Sequence, residues 1–362
     1  TTAAIGKWHL GLGDKTAEQD WNAPIPCGLQ DIGFDYHYIM AATGDRVPCV
    51  FIENGFIADY DPTAPIEVNY RQNFAGEPTG KSHPELLYNL KPSPNHGHDQ
   101  SIVNGISRIG FMKGGGKALW KDENIADSIT SHAIDFIRRN HEEPFFMYLC
   151  TNDIHVPRFP HPRFRGKTDM GHRGDAIVQF DWTIGEVMKT LKELNIDKNT
   201  IIILTSDNGP VVDDGYDDEA VARLGSHKPS GPLRGNKYSS FEGGTRVPFI
   251  VSWPHGINKA KDSEALVSQI DLFASFAQML NARLPKGSCP DSRKHWDALV
   301  GKDSKGCKYV VEQNLWNVLS IRTNDWKYIE PSNGASYMKL TDIETGNSPL
   351  PQLYDMNHEG EK

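Results

Sequence analysis

Twice along this chain an apolar stripe at helical spacing is followed by a short strand-like run that ends in polar residues. The first stripe is Ile125, Ile129, Ala133, Phe136 and Ile137, and it precedes Phe145 to Cys150. The second is Ala176, Ile177, Phe180, Ile184, Val187, Met188 and Leu191, and it precedes Ile201 to Thr205. A helix that returns into a buried strand in this way predicts an α/β fold with helices packed over a sheet. A strand over Val247 to Trp253 and a helix from about Leu272 to Leu280, N-capped by Asp271, continue the pattern. With 362 residues, 38% hydrophobic and 23% charged, the chain can bury a large core and carry a smaller second domain.

Before the first stripe, Thr1 to Ile5 reads as a strand entering the Gly6-Lys7-Trp8-His9-Leu10-Gly11 turn, with a second apolar piece around Ile32 to Met40. Residues 41 to 120 are rich in Gly, Pro, Asn and Ser, as a binding or lid region would be. Inside them, Val47 to Ile52, the Glu53-Asn54-Gly55 turn and Phe56 to Tyr60 give the clearest hairpin signal. After a Lys286 to Lys308 linker, Tyr309 to Glu312, Leu319 to Arg322, Trp326 to Glu330 and Gln352 to Tyr354 read as short antiparallel strands. The expected domains are therefore 1–285 and 286–362. A net charge of −9 argues against nucleic acid as the main partner, and no apolar run is long enough to span a bilayer. The five cysteines are too scattered for a zinc motif and odd in number for full pairing. Thr1 opens directly on a strand pattern, so the chain is expected to be a piece of a longer protein, and the lack of a signal peptide says nothing about secretion.

Chemistry-bearing residues gather after the strand patterns. Ile201 to Thr205 runs into Ser206-Asp207-Asn208-Gly209, where an Asp and an Asn carbonyl suit Ca²⁺ or Mg²⁺ better than Zn²⁺; an Asn-Gly turn closing a strand is the competing reading. Lys7 and His9, two apart, share a face if the backbone stays extended, which suits an oxyanion; a surface Lys and a packed His are the alternative. His155, in Thr151-Asn152-Asp153-Ile154-His155, could protonate a leaving alkoxide. The stretches Ser226 to Lys237 and Glu242 to Pro248 mix Gly, Pro and cations as a loop folded over an anion would.

Taken together, these stretches resemble the type I sulfatases, the formylglycine-dependent branch of the alkaline phosphatase superfamily. The likeness runs from Gly6-Lys7-Trp8-His9-Leu10-Gly11 through Ser206-Asp207-Asn208-Gly209 to Leu233-Arg234-Gly235-Asn236-Lys237 and Phe241-Glu242-Gly243-Gly244-Thr245-Arg246-Val247-Pro248. Ala41 to Pro48 and Asn104 to Gly110 look closest to bacterial sulfatases that act on glycans, with galactose or N-acetylgalactosamine sulfate as the first substrate expectation. The resemblance implies an alkaline-phosphatase-like α/β/α sandwich with a large mixed sheet, plus a smaller C-terminal α+β subdomain with an antiparallel sheet. It implies Ca²⁺ (or Mg²⁺) on Asp207 and Asn208, sulfate oxygens on Lys7 and Lys237, His9 against a formylglycine hydrate, and His155 as general acid. It also implies a periplasmic or secreted location and a sulfated glycan or monosaccharide as partner. Asp45, Arg46, His96, His98, Arg108, His227 and Lys228 are rim candidates for the sugar, with Asn314 and Trp316 as a further wall.

The family's first-strand aspartates and its C/S-x-P-x-R nucleophile are expected to lie before Thr1, and Cys289-Pro290-Asp291-Ser292-Arg293 has its proline in the wrong place. With only two calcium ligands left, these residues alone are expected to bind the ion weakly and not to turn over. Two rivals remain at this stage. One is a phosphodiesterase, phosphonate hydrolase or phosphatase of the same superfamily, although Asp207-Asn208 runs into Gly209-Pro210 and not toward a His ligand. The other is a non-catalytic glycan-binding homologue.

Overall fold

In the computed structural model, which describes residues 1–14, 18–357 and 361, the first strand β1 (Thr2–Lys7) is an inner strand of a five-stranded sheet, next to one edge. Its run Ala3-Ala4-Ile5 is almost wholly buried, as a strand covered on both faces requires. The strand β2 (Tyr36–Met40) pairs with β1 in parallel, and beyond it stand β3 (Phe51–Glu53) and β4 (Phe56–Ile57), both antiparallel. The β3–β4 hairpin turns on Asn54 and Gly55, both at positive φ, as the Asn-Gly pair predicts.

Helix α1 (Ile125–Asn140) buries Ile125, Ile129, Ala133, Phe136 and Ile137, the predicted stripe, and packs on β1 and on α2 (Gly171–Glu193). Each large apolar side chain buried this way stabilises the fold by about 1.5–3 kcal/mol. The buried face of α2 is more polar than the stripe suggests. Met188 is exposed, whereas Arg173, Asp175, Gln179 and Thr183 are buried, and the Thr183 hydroxyl meets that of Thr130 on α1 at 3.0 Å. Strand β5 (Phe146–Cys150) is parallel to β1 and last in the order of the sheet; it is not the fully buried strand expected, since Phe146 and Tyr148 are 45% and 44% exposed.

The chain divides into two compact units that interleave in sequence, residues 1–196 with 213–227 and residues 197–212 with 228–362. In the second unit, β6 (Ile202–Thr205) pairs antiparallel with β7 (Phe249–Ser252); β6 is half-buried, and on β7 Ile250 and Ser252 are exposed. The helix α3 (Leu272–Met279) forms where expected, but Asp271 makes no capping hydrogen bond to it. The C-terminal sheet is antiparallel throughout, in the order β8 (Val310–Gln313), β9 (Leu319–Arg322), β10 (Trp326–Ile329) and β11 (Gln352–Asp355), within a residue or two of the predicted strands. On β10 the aromatic residues Trp326 and Tyr328 face outward, and Lys327 and Ile329 are buried. No described helix is long and apolar enough to cross a membrane, and the cysteines form no disulfide among the described residues.

Candidate active site

Because β1, β2 and β5 are parallel, their carboxyl ends lie along one edge of the sheet. That edge carries Lys7 and His9 after β1, Thr43 to Arg46 after β2, and Asn152 to His155 after β5. Gly6 lets the strands come this close, since a Cβ there would stand 1.9 Å from the Cys150 carbonyl oxygen. Backbone bonds from Trp8 to the Met40 carbonyl (3.1 Å) and from His9 to the Ala41 carbonyl (3.3 Å) hold the first loop against the second. His9 has φ +55°, so the extended alternation expected to put it on the face of Lys7 ends one residue earlier. The Gly44 amide donates to Asn152 Oδ1 at 3.3 Å and ties the second loop to the third.

Asp45 is the hub of this edge. It is 3% exposed, receives both contacts of Arg46 Nη1 at 2.9 Å and the Thr43 hydroxyl, and meets His98 Nε2 at 3.1 Å. Burial would raise its pKa, but the His98 hydrogen bond and the charges of His155 and Arg46 outweigh that and hold the carboxyl well below the usual range. The structure thus groups Asp45, Arg46, His98 and His155. His96 stands beside them, its ring 6.5 Å from that of His98 and its Nε2 4.0 Å from Asp213. His155 Nδ1 lies 2.8 Å from the Val156 carbonyl, which makes Nδ1 the donor to that oxygen. Beneath this loop, Gln179 donates to Asp153 at 2.9 Å and accepts from the His161 amide at 2.8 Å, a support that the apolar stripe of α2 does not announce. Burial pushes the Asp153 carboxyl up to about 6.

Arg108 is a correction. It is wholly buried, and its Nη2 meets both Asp122 oxygens at 2.7 Å, so it is a core ion pair and not a rim contact. His227 and Lys228 are exposed and lie in a turn region.

In the second unit, the strip from Asp207 to Pro210 is clamped against residues 234–244. Gly209 donates to Gly244 O at 2.8 Å, Lys237 to Pro210 O at 2.8 Å, and Gly243 to Arg234 O at 2.7 Å. The glycines are obligatory here, since a Cβ on Gly209 would meet Gly243 O at 1.8 Å and one on Gly243 would meet Gly235 O at 2.2 Å. The clamp ties the Lys237 backbone to Pro210, two residues beyond Asn208. Asn208 Nδ2 donates to Gly209 O at 2.9 Å, which orients the amide and leaves its oxygen for an acceptor role, while Asp207 is exposed. Two hard oxygen donors fit Ca²⁺ or Mg²⁺ in kind, but fall short of the six to eight that calcium takes.

Other loop cations serve structure instead of an anion. Arg234 binds Glu344 (Nε at 2.7 Å) and lies 4.0 Å over the Phe241 ring. A Ser-x-Pro-x-Arg match does occur at Ser230 to Arg234; there Ser230 Oγ donates to Leu233 O at 3.2 Å, and the arginine is the one held by Glu344. Asn314 is likewise not a pocket wall. Its side chain donates to Asn347 at 2.9 Å and accepts from the Trp316 and Val318 amides, while Trp316 packs on the Phe241 cluster. Glu242 of the Glu-Gly-Gly-Thr run is buried against Lys327 at 3.1 Å, a contact that nothing in the motif announces.

Among the described residues, one group of three metal-ligand side chains stands close together: Asp271, His295 and Cys307, with ligand atoms all within 4.8 Å of one another.

A mixed α/β sheet accompanied by a smaller antiparallel C-terminal sheet is the fold of the alkaline phosphatase type of hydrolase. The sulfatase family profile matches residues 1–282, and the chain belongs to that family, the hydrolases of sulfuric esters. An N-acetylgalactosamine-6-O-sulfatase of Bacteroides thetaiotaomicron is 53% identical over 98% of this chain and 69% of its own length. A steryl-sulfatase of Rattus norvegicus is 36% identical over 49% of this chain and 30% of its own. Among solved structures, one described in the metabolism of multiple glycosaminoglycans by B. thetaiotaomicron superposes with a TM-score of 0.95 at 54% identity, covering 98% of this chain and 73% of that one. A Pseudoalteromonas sp. sulfatase, at 20% identity and a TM-score of 0.63 over 98% of this chain and 64% of its own, shares the fold.

Proposed function

We propose that the protein removes a 6-O-sulfate from N-acetylgalactosamine in a sulfated glycan. The observation that carries this reading is the 53% identity, along 98% of the chain, to a relative named for that reaction. A formylglycine hydrate would supply the nucleophile, and a calcium ion held by Asp207, Asn208 and further ligands would neutralise charge on the sulfuryl group. The ammonium groups of Lys7 and Lys237 each hold a sulfuryl oxygen and stabilise the charge that builds there. His9 orients the nucleophile, and His155 gives its Nε2 proton to the bridging oxygen as the sugar alcohol departs. Asp45, fixed as an anion by Arg46 and His98, holds those two side chains in place at the edge, with His96 beside them. The family resemblance supports a periplasmic or secreted location for this reaction.

The test is sulfate release by the whole protein from N-acetylgalactosamine 6-sulfate, galactose 6-sulfate and N-acetylgalactosamine 4-sulfate. The 6-sulfated amino sugar should be the best substrate. Equal rates on the 4-sulfate, or hydrolysis of phosphodiesters with sulfate esters untouched, would reject the assignment.

A further inference from the structure

The clustered side chains Asp271, His295 and Cys307 have no part in that chemistry, and their donor set differs from that of a calcium site. An imidazole nitrogen and a sulfur are the ligands of zinc-like transition metals, whereas Ca²⁺ takes oxygen alone. All three positions are pinned from the backbone outward. The Cys307 amide donates to Leu266 O at 2.7 Å, the His295 amide to the buried Ser275 hydroxyl at 2.9 Å, and Asp271 Oδ1 accepts the Arg293 amide at 2.7 Å. Asp271 sits at the start of α3 yet does not cap it; its other oxygen accepts the Cys307 thiol at 3.0 Å. Asp271 and Cys307 are 4% and 2% exposed, and His295 is half-buried, so the group is enclosed on one side and reachable on the other.

We propose that Asp271, His295 and Cys307 form a binding site for a divalent transition-metal ion of the zinc type, with water as the fourth ligand. Ligands about 2.0–2.3 Å from a tetrahedral zinc lie roughly 3.3–3.8 Å apart. The 3.0 Å contact between Cys307 and Asp271 therefore opens by only a few tenths of an ångström, and the remaining distances, all within 4.8 Å, close by about 1.5 Å at most. In the metal-free state the thiol proton bridges sulfur and carboxylate. Binding releases that proton to solvent and puts the cation in its place, so one proton leaves for each ion bound. The ion would staple three segments, around residues 271, 295 and 307, that share no regular element.

Cobalt(II) titration of the full chain tests the site. One Co²⁺ per chain with a thiolate charge-transfer band is expected, displaced by one equivalent of Zn²⁺ and untouched by a hundredfold excess of Ca²⁺. Cys307→Ser should abolish the band, and His295→Gln should weaken binding at least tenfold without changing the circular dichroism spectrum. Absence of the band from the folded native chain overturns the proposal, as does a band that survives in Cys307→Ser. Should that variant fail to fold, His295→Gln decides, and affinity within twofold of the native chain overturns the site.

Discussion

Replacing Lys327 with Met removes the one ammonium group that three carboxylates share inside the second unit. Its Nζ lies 3.1 Å from Glu242, 3.1 Å from Glu312 and 3.3 Å from Glu361, and the side chain has no exposed surface. Removing one partner of a buried ion pair costs about 3–5 kcal/mol, because the other charge stays buried without compensation. Here the remaining anions keep some help. Arg322 reaches Glu242 at 3.4 Å, and Thr245 and Ser320 donate to Glu312 at 2.6 and 3.3 Å. The expected loss is therefore near the lower end, about 3–4 kcal/mol, or roughly a 10²- to 10³-fold shift in the unfolding equilibrium. The pH dependence gives the argument a second edge. Burial lowers the Lys327 pKa, but the three glutamates outweigh it and raise the pKa above the usual 10.5, so its stabilisation is fully present below that value and is lost only as pH climbs through the folded-state pKa. Glu361 is the opposite case, an acid whose pKa burial pushes up from 4.5 to about 7 against the pull of Lys327. The cost of its buried anion is absent below about 4.5 and complete above about 7, and without Lys327 the pKa rises further. Urea unfolding followed by tryptophan fluorescence should show the full deficit of Lys327→Met at pH 7.5 and a smaller one at pH 5. A loss under about 1 kcal/mol, or the same loss at both pH values, would refute the reasoning.

Asp153→Asn should stabilise the protein at neutral pH, because burial raises the Asp153 pKa from 3.8 to about 6 and its anion is penalised by up to ~3 kcal/mol above pH 6 and not at all below about 3.8. Thermal unfolding at pH 7.5 and pH 4 checks this, with a gain expected only at the higher value. Gly209→Ala should cost about 3 kcal/mol or more, since the new Cβ would lie 1.8 Å from the backbone oxygen of Gly243, an atom that cannot rotate away; chemical denaturation reads the loss. In the whole protein, His155→Gln should slow desulfation of a sugar sulfate by about 10²- to 10⁴-fold and that of a nitrophenyl sulfate far less, because a good leaving group needs no proton. Equal losses on both substrates would remove His155 from the acid role.

What the sequence showed and what it hid follow from how far apart the interacting residues lie. The α1 stripe, the Asn54-Gly55 hairpin and the four C-terminal strands rest on periodicity or on backbone conformations local to a few residues, and these were readable. Arg108, Asn314 and Arg234 looked available for ligand because a cation or an amide in a Gly-rich stretch carries no sign of its partner. Their partners, Asp122, Asn347 and Glu344, are 14, 33 and 110 residues away, and only the folded chain shows the charges to be already spent. The glycines of Ser206-Asp207-Asn208-Gly209 and Glu242-Gly243-Gly244-Thr245 show the same limit from the other side. As sequence they read as turns, but they are the sites where two backbone segments touch, so that the segment holding Lys237 is tied to Gly209-Pro210 by main-chain bonds and not by any feature of the lysine. Asp271, His295 and Cys307 are spaced 24 and 12 apart and match no ligand motif, because each is delivered by a different loop. A site assembled from loops leaves no period in the sequence, and its members become visible only when the hydrogen bonds that pin each loop are traced one at a time.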